Sequence, residues 1–152
     1  MGDMSTEEPI RLLAVRDTPL SLDEVFAAVP HAGAGGTALF VGTVRDHDGH
    51  ADGAAVTSLA YEAHPAAITR LREVAEGVVA DFPVRALAAV HRVGELSVGD
   101  VAVVVAVACP HREEAFAACR RLIDDLKRDV PIWKHQAFAD GTREWVGACE
   151  LP

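Results

Sequence analysis

The chain has 152 residues, half of them hydrophobic, and a formal net charge of −9. That length suffices for one domain with a real core, and the acidic balance excludes nucleic acid as a general partner. No apolar run reaches membrane-spanning length, and the acidic start MGDMSTEEP lacks the apolar stretch of a secretory signal.

A cytoplasmic protein that meets no membrane is expected. Its three cysteines, Cys109, Cys119 and Cys149, form no CxxC pair, which excludes a zinc ribbon and a disulfide framework. An apolar excess in so small a chain points to an oligomer interface.

Residues 1–9 read as a flexible acidic tail, and 10–152 as a single domain. Ile10–Val15 reads as a strand. Ser21 with Glu24 makes a capping box for a short helix that ends by Pro30. HAGAGG at 31–36 is a loop whose glycines fit no phosphate-loop pattern, since no GK[ST] follows. Thr37–Arg45 reads as a buried strand with Gly42 inside it, where an interior glycine marks a bulge or a close backbone approach. It delivers Arg45 to a loop, DHDGHADG, whose His47 and His50 read as part of a solvated turn, not a metal site.

Ala55–Glu62 is the next strand. His64–Pro65 opens a helix whose apolar face is Ile68, Leu71, Ala75, Val78 and Val79. Val84–Val93 is a strand joined through GELSVGD to Val101–Ala108, a pair short enough in its link to be antiparallel. VAVVVAVA reads as a central strand covered on both faces. Phe116, Cys119, Leu122, Ile123, Leu126 and Val130 recur at helical spacing over 112–129, and Pro131 ends that helix. PIWKHQAF then extends with Trp133 and Lys134 on opposite faces, and Glu144–Cys149 closes the chain as a strand. The order β-α-β-β-α-β-β-α-β-β predicts an α+β fold, helices packed on a mixed, largely antiparallel sheet.

The stretch Leu122–Gln136 carries Lys127 and Lys134, the only two lysines among fourteen Lys and Arg. Where this chain places a generic surface cation it uses arginine. Lysine offers a compact amine whose pKa drops when it is desolvated or crowded by cations, so it can act as base, acid or nucleophile. Lys127 lies on the flank of the apolar stripe and Lys134 just past the helix stop, within reach of one pocket. His111 and Arg112 stand at the start of the same helix, where free N–H groups favour an anion. Arg45, His111, Arg112, Lys127 and Lys134 all fall at element ends. If they converge, the ligand is small, anionic and phosphorylated.

FVGTVRDHDG, VHRVGELSVGD, CPHREEAFAACRRLIDDLKRDVPIWK and the closing EWV resemble the large, catalytic subunit of molybdopterin synthase, from about Gly35 to Val146. The resemblance implies an α/β hammerhead fold and a sulfurtransferase with no resident metal or cofactor. Such an enzyme converts cyclic pyranopterin monophosphate (precursor Z) to molybdopterin. The sulfur comes from the C-terminal Gly-Gly thiocarboxylate of a small ubiquitin-like subunit. The resemblance also implies a homodimer that binds two small subunits as a heterotetramer. Motif by motif, it implies that Lys127 and Lys134 are catalytic, and that Thr43, Val44, Arg45, His111 and Arg112 join them in holding the substrate. After the second lysine, where that family has a basic residue and Glu, this chain has His135 and Gln136, also placed in the substrate site. Two rival readings remain: a non-catalytic dimeric module that binds a phosphorylated metabolite, and an enzyme that carries sulfur as a cysteine persulfide.

Overall fold

The longest apolar run of the chain organises the structure, because a strand buried on both faces needs a layer on each side. The computed structural model describes residues 8–46, 56–138 and 143–146. The loop with His47 and His50, the tail residues 1–7 and Cys149 lie outside them.

Eleven elements follow one another: β1 (Ile10–Arg16), α1 (Leu22–Ala28), β2 (Gly36–Thr43), β3 (Val56–Ala63), α2 (Ala67–Asp81), β4 (Ala86–Arg92), β5 (Gly94–Leu96), β6 (Val101–Cys109), α3 (Arg112–Asp129), β7 (Ile132–Phe138) and β8 (Arg143–Val146). They make two four-stranded sheets, β1-β4-β6-β2 and β5-β3-β7-β8. Every pairing is antiparallel except β1 with β4. The fold is the expected mixed α+β, with the sheet divided in two.

β6 lies inside the first sheet, and alternation sends its residues to two cores. Val103, Val105, Val107 and Cys109 join the larger core, with Leu71 and Val78 of α2 and Leu122 and Leu126 of α3. Val104, Ala106 and Ala108 pack on the other face with Val25 and Val29, at and just beyond α1. Leu59 and Tyr61 of β3, Leu96 and Ile132 extend the larger core into the second sheet. α3 packs over β2 and β6, and α2 over β1 and α3.

Four local expectations are corrected. The link GELSVGD is not only a turn: Gly94–Leu96 crosses to the second sheet and pairs with Leu59–Tyr61. Gly94 and Gly99 supply the positive φ values, 90° and 92°, that this excursion needs. The capping box is half made. Ser21 Oγ accepts from the Glu24 N–H at 3.1 Å, but the Glu24 carboxylate turns to the Arg16 guanidinium, which grips both of its oxygens. Ile68 and Phe116, read as core, are 43% and 66% exposed; Ala67 and Val74, and Ala115 and Ala118, take the buried positions instead.

The edge strand β2 ends in an irregularity between Gly42 and Thr43. A Cβ on Gly42 would come within 2.6 Å of Val103 Cγ1, a buried β-branched side chain with nowhere to go. Gly42→Ala is therefore expected to destabilise the fold by about 1–3 kcal/mol, measured as a lower denaturation midpoint.

Candidate active site

The stop after α3 sets two lysines about one end of the molecule. Val130 caps the helix, its N–H donating to the Leu126 carbonyl at 3.0 Å. Pro131 cannot continue the helix, and its carbonyl accepts from the His64 N–H at 3.0 Å, which fixes the turn against the end of β3. β7 then runs back beside β3, and Lys134 stands directly across from Tyr61.

Arg45 arrives from a third direction. Just past β2, the buried Val44 donates its N–H to the Asp100 carbonyl at 2.9 Å and accepts from the Gly99 N–H at 2.7 Å. That clamp on the 97–100 turn fixes where the next residue, Arg45, leaves the sheet. Thr43 and Arg45 are exposed.

Lys127 feels the charges of both other cations. Burial pushes the Lys127 amine below the ordinary lysine range, and the charges of Lys134 and then Arg45 push it further the same way. Neighbouring Arg128 is engaged elsewhere, with Asp125 at 2.8 Å and Asp129 at 3.2 Å. Asp125 is itself held by Arg121 at 2.6 Å, and Arg121 reaches Asp81 of α2 at 2.8 Å. Asp125 and Asp129 thus serve arginines of this helix, while the charges acting on Lys127 are positive. An amine so placed is easier to deprotonate and attracts an anion.

His111 and Arg112 are not brought to that end. His111 is the N-cap residue of α3, exposed and without a side-chain cap. Arg112 opens the helix and Lys127 lies fifteen residues on, about 22 Å along the axis at the α-helical rise. His111 and Arg112 instead line a recess of about 480 Å³ with Gly35, Pro110 and Glu113. Gly35 is required there, since a Cβ would meet the Pro110 carbonyl oxygen at 2.6 Å. Of the remaining expected site residues, His135 is half-buried across from Ala60 and Trp145, and Gln136 is across from Leu59 and Glu144.

Sequence reasoning passed over His91. It is 4% exposed on β4, its ring edge-on to Tyr61 with centroids 4.9 Å apart, and its Nδ1 lies 2.7 Å from the Arg92 carbonyl oxygen. Burial, against the pull of that hydrogen bond, lowers its pKa from 6.5 to about 4, and the Lys127 charge acts in the same sense. The only signal in the sequence was alternation along ALAAVHR, which sets His91 on the face of Leu87 and Ala89.

The sign of the linkage is clear. Unfolded, the ring takes a proton near 6.5; folded, it resists until about 4. Stability from this residue is therefore present above pH 6.5 and falls as the pH drops toward 4, by roughly 3 kcal/mol in all. Denaturation of wild type and His91→Gln at pH 7 and pH 4 should show wild type losing that much more.

The two described cysteines, Cys109 and Cys119, are buried. Burial raises the Cys119 thiol to about 11, and burial with the Glu114 charge raises Cys109. Both are held as protonated thiols, poor persulfide carriers.

Known proteins resemble this chain in sequence and in fold. The family model described as MoaE protein matches residues 15–129. The chain is 43% identical to molybdopterin synthase catalytic subunit 1 of Mycobacterium tuberculosis over 155 residues, covering 97% of this chain and 98% of that one. Its fold matches the molybdopterin synthase structure from Staphylococcus aureus with a TM-score of 0.79 and 30% identity, covering 88% of this chain and 95% of that one. It also matches, as a likeness of fold, a chain in the complex of subunits 1 and 2 of molybdopterin-converting factor from Helicobacter pylori, with a TM-score of 0.65 and 20% identity over 88% and 89%. Matched across most of its length by the family model and end to end by a relative of its own size, the chain belongs to the MoaE family, the molybdopterin synthase catalytic subunits.

Proposed function

We propose that this chain is a sulfurtransferase that makes the dithiolene of molybdopterin from cyclic pyranopterin monophosphate. The sulfur comes from the C-terminal thiocarboxylate of a small ubiquitin-like subunit. The observation that carries the reading is the half-buried Lys127 amine with two further cations, Lys134 and Arg45, acting on it. A thiocarboxylate and a cyclic phosphate are both anions, and a water-poor pocket of fixed cations binds anions more strongly than open surface does.

Each group has a task in this reading. Arg45 holds phosphate oxygens through its guanidinium fork. The thiocarboxylate sulfur attacks the pterin side chain and a C–S bond forms. The departing oxygen takes a proton, for which the Lys134 ammonium is the donor. The acyl–sulfur bond then breaks as water, or the free Lys127 amine, attacks the acyl carbon, leaving sulfur on the pterin. Two rounds consume two small subunits per product. This reading assigns Thr43, Val44, His135 and Gln136 to the substrate site as well, with Val44 acting through the backbone clamp that aims Arg45.

His111 and Arg112 enter this site from a second copy. β2 is an edge strand of its sheet. Its N-terminal end packs on Pro110–Arg112, and its other end leads to Arg45. Along this edge Leu39, Phe40 and Phe116 stay exposed, Leu39 on one face of the strand and Phe40 on the other, apolar surface suited to self-association. A two-fold axis through that edge, running the two copies antiparallel, sets the partner subunit's His111 and the partner subunit's Arg112 beside Lys127. The small subunits then bind one at each end. A cytoplasmic setting suits the free thiols of Cys109 and Cys119, and no described helix is long and apolar enough to cross a membrane.

The test is reconstitution. Incubation with the thiocarboxylated small subunit and cyclic pyranopterin monophosphate should yield molybdopterin and spend two thiocarboxylates per product. Stable binding of the pterin phosphate without thiocarboxylate loss would instead identify a non-catalytic binding module.

A further inference from the structure

Past Gly42 the ladder between β2 and β6 slips by one residue. Gly42 stands across from Val103 and Thr43 across from Val101, so Ala102 falls between the two pairs. A slip of this kind bends a strand and re-aims the residues that follow it. Here the residue that follows, after Thr43 and Val44, is Arg45. Two backbone hydrogen bonds hold the chain beyond the slip. The Val44 N–H donates to the Asp100 carbonyl at 2.9 Å, and the Gly99 N–H donates to the Val44 carbonyl at 2.7 Å. Both end on the turn 97–100, so the shape of that turn sets the direction in which Arg45 leaves the sheet.

Asp100 closes the turn. Its N–H donates to the Ser97 carbonyl at 3.0 Å, and its Oδ2 accepts from the Ser97 N–H at 2.9 Å. It therefore grips Ser97 by both of that residue's backbone polar groups. The same Oδ2 lies 3.6 Å from Nη1 of Arg92, the last residue of β4, whose side chain is 17% exposed. Arg92 Nε is buried and hydrogen-bonds to nothing among the described residues. The ion pair is the looser tie, since it is long and its carboxylate is 38% exposed. The short bond to the Ser97 N–H is the one that fixes the turn. Gly99, at φ 92°, supplies the backbone conformation that lets residues 97–100 fold back in this way.

We propose that Asp100 is a positioning residue for the pterin phosphate: its carboxylate closes the 97–100 turn, and the turn, through the backbone of Val44, fixes the direction in which Arg45 leaves β2. The inference rests on the reading of Arg45 as the residue that holds phosphate. A guanidinium fork grips two phosphate oxygens only when it arrives in the right plane. With the turn loosened, that side chain must be ordered at the moment of binding, and the cost falls on affinity. Phosphate is held alike in the bound substrate and in the transition state, so the loss appears in KM and not in kcat.

The experiment compares Asp100→Ala, Asp100→Asn and Gly99→Ala in the full complex, with thiocarboxylated small subunit and cyclic pyranopterin monophosphate. Asp100→Ala removes the acceptor of the Ser97 N–H. Asp100→Asn keeps an oxygen there and gives up only the charge that faces Arg92. Gly99→Ala disturbs the same turn by another route: an added Cβ meets nothing within 4 Å, so its effect is the strain of a positive φ. Asp100→Ala and Gly99→Ala should raise KM for the pterin by about fivefold or more with kcat little changed, and Asp100→Asn should stay near wild type. In an Arg45→Ala background, Asp100→Ala should add nothing, because the side chain it aims is gone. A loss in kcat that tracks the folded fraction, or an equal loss with and without Arg45, would make Asp100 a structural residue of the turn and overturn the proposal. Asp100→Asn failing as badly as Asp100→Ala would assign the effect to the charge facing Arg92 and overturn it too. Arg45→Ala alone separates the two levels. If it leaves KM for the pterin unchanged, the underlying reading fails; if it raises KM while Asp100→Ala matches wild type, only this inference fails.

Discussion

Lys127→Ala should abolish product formation, a loss of about a thousandfold or more, while the variant folds and binds the small subunit as wild type does. The asymmetry follows from the environment of the amine. Burial and two neighbouring cations already disfavour its charged form, so the folded state gains little from the ammonium, and its removal leaves no buried partner charge exposed to loss. Lys127 flanks the apolar stripe and is not one of its fillers; the buried positions of that turn belong to Ile123, Asp125 and Leu126. Lys127→Arg should fail as well, because a guanidinium stays charged and cannot serve as base or nucleophile. The measurements are molybdopterin yield and the denaturation midpoint. A variant inactive only because it is unfolded would show the loss in both.

Mixing two dead variants should restore activity. His111→Ala with Arg112→Ala in one chain, and Lys127→Ala in another, each leave every site of a homodimer incomplete. In a mixed dimer one site carries all the lesions, and the other joins an intact Lys127 to the partner subunit's His111 and the partner subunit's Arg112. Random exchange at equal amounts makes half the dimers mixed with one good site each, so about a quarter of wild-type activity should return. The lesions are mild to the fold, because His111 and Arg112 are exposed and His111 makes no side-chain cap. Recovery no greater than the sum of the parents would mean that the two groups serve one chain, which the 22 Å or so of helix between them opposes.

Much of this arrangement was legible before any coordinates, for particular reasons. VAVVVAVA announces a two-face strand because its nine-residue element has a core on each side to fill. The lysine pair stands out because the chain spends arginine everywhere else. The site was only half legible. Spacing put His111, Arg112 and Lys127 on one helix, but helical rise separates its ends, and the proposed closure of the site across two copies leaves no mark in the spacing. Phe116 looked like core because periodicity marks an apolar stripe without distinguishing an interior from an interface. The three residues of β5 were read as a turn because they have no period of their own. His91 carried no motif; what surrounds it, the ring of Tyr61, comes from a strand 30 residues before it.

The central claim is that the Lys127 amine shares one cleft with Lys134 and Arg45, and a titration tests it most directly. The pH dependence of Lys127 can be followed by heteronuclear NMR of its side chain, in wild type and in Lys134→Gln and Arg45→Gln. Lys127 is expected to titrate below the ordinary lysine range and to move back up in each variant, since each removes a cation that repels its proton. An ordinary lysine titration, unmoved by either substitution, would contradict the account.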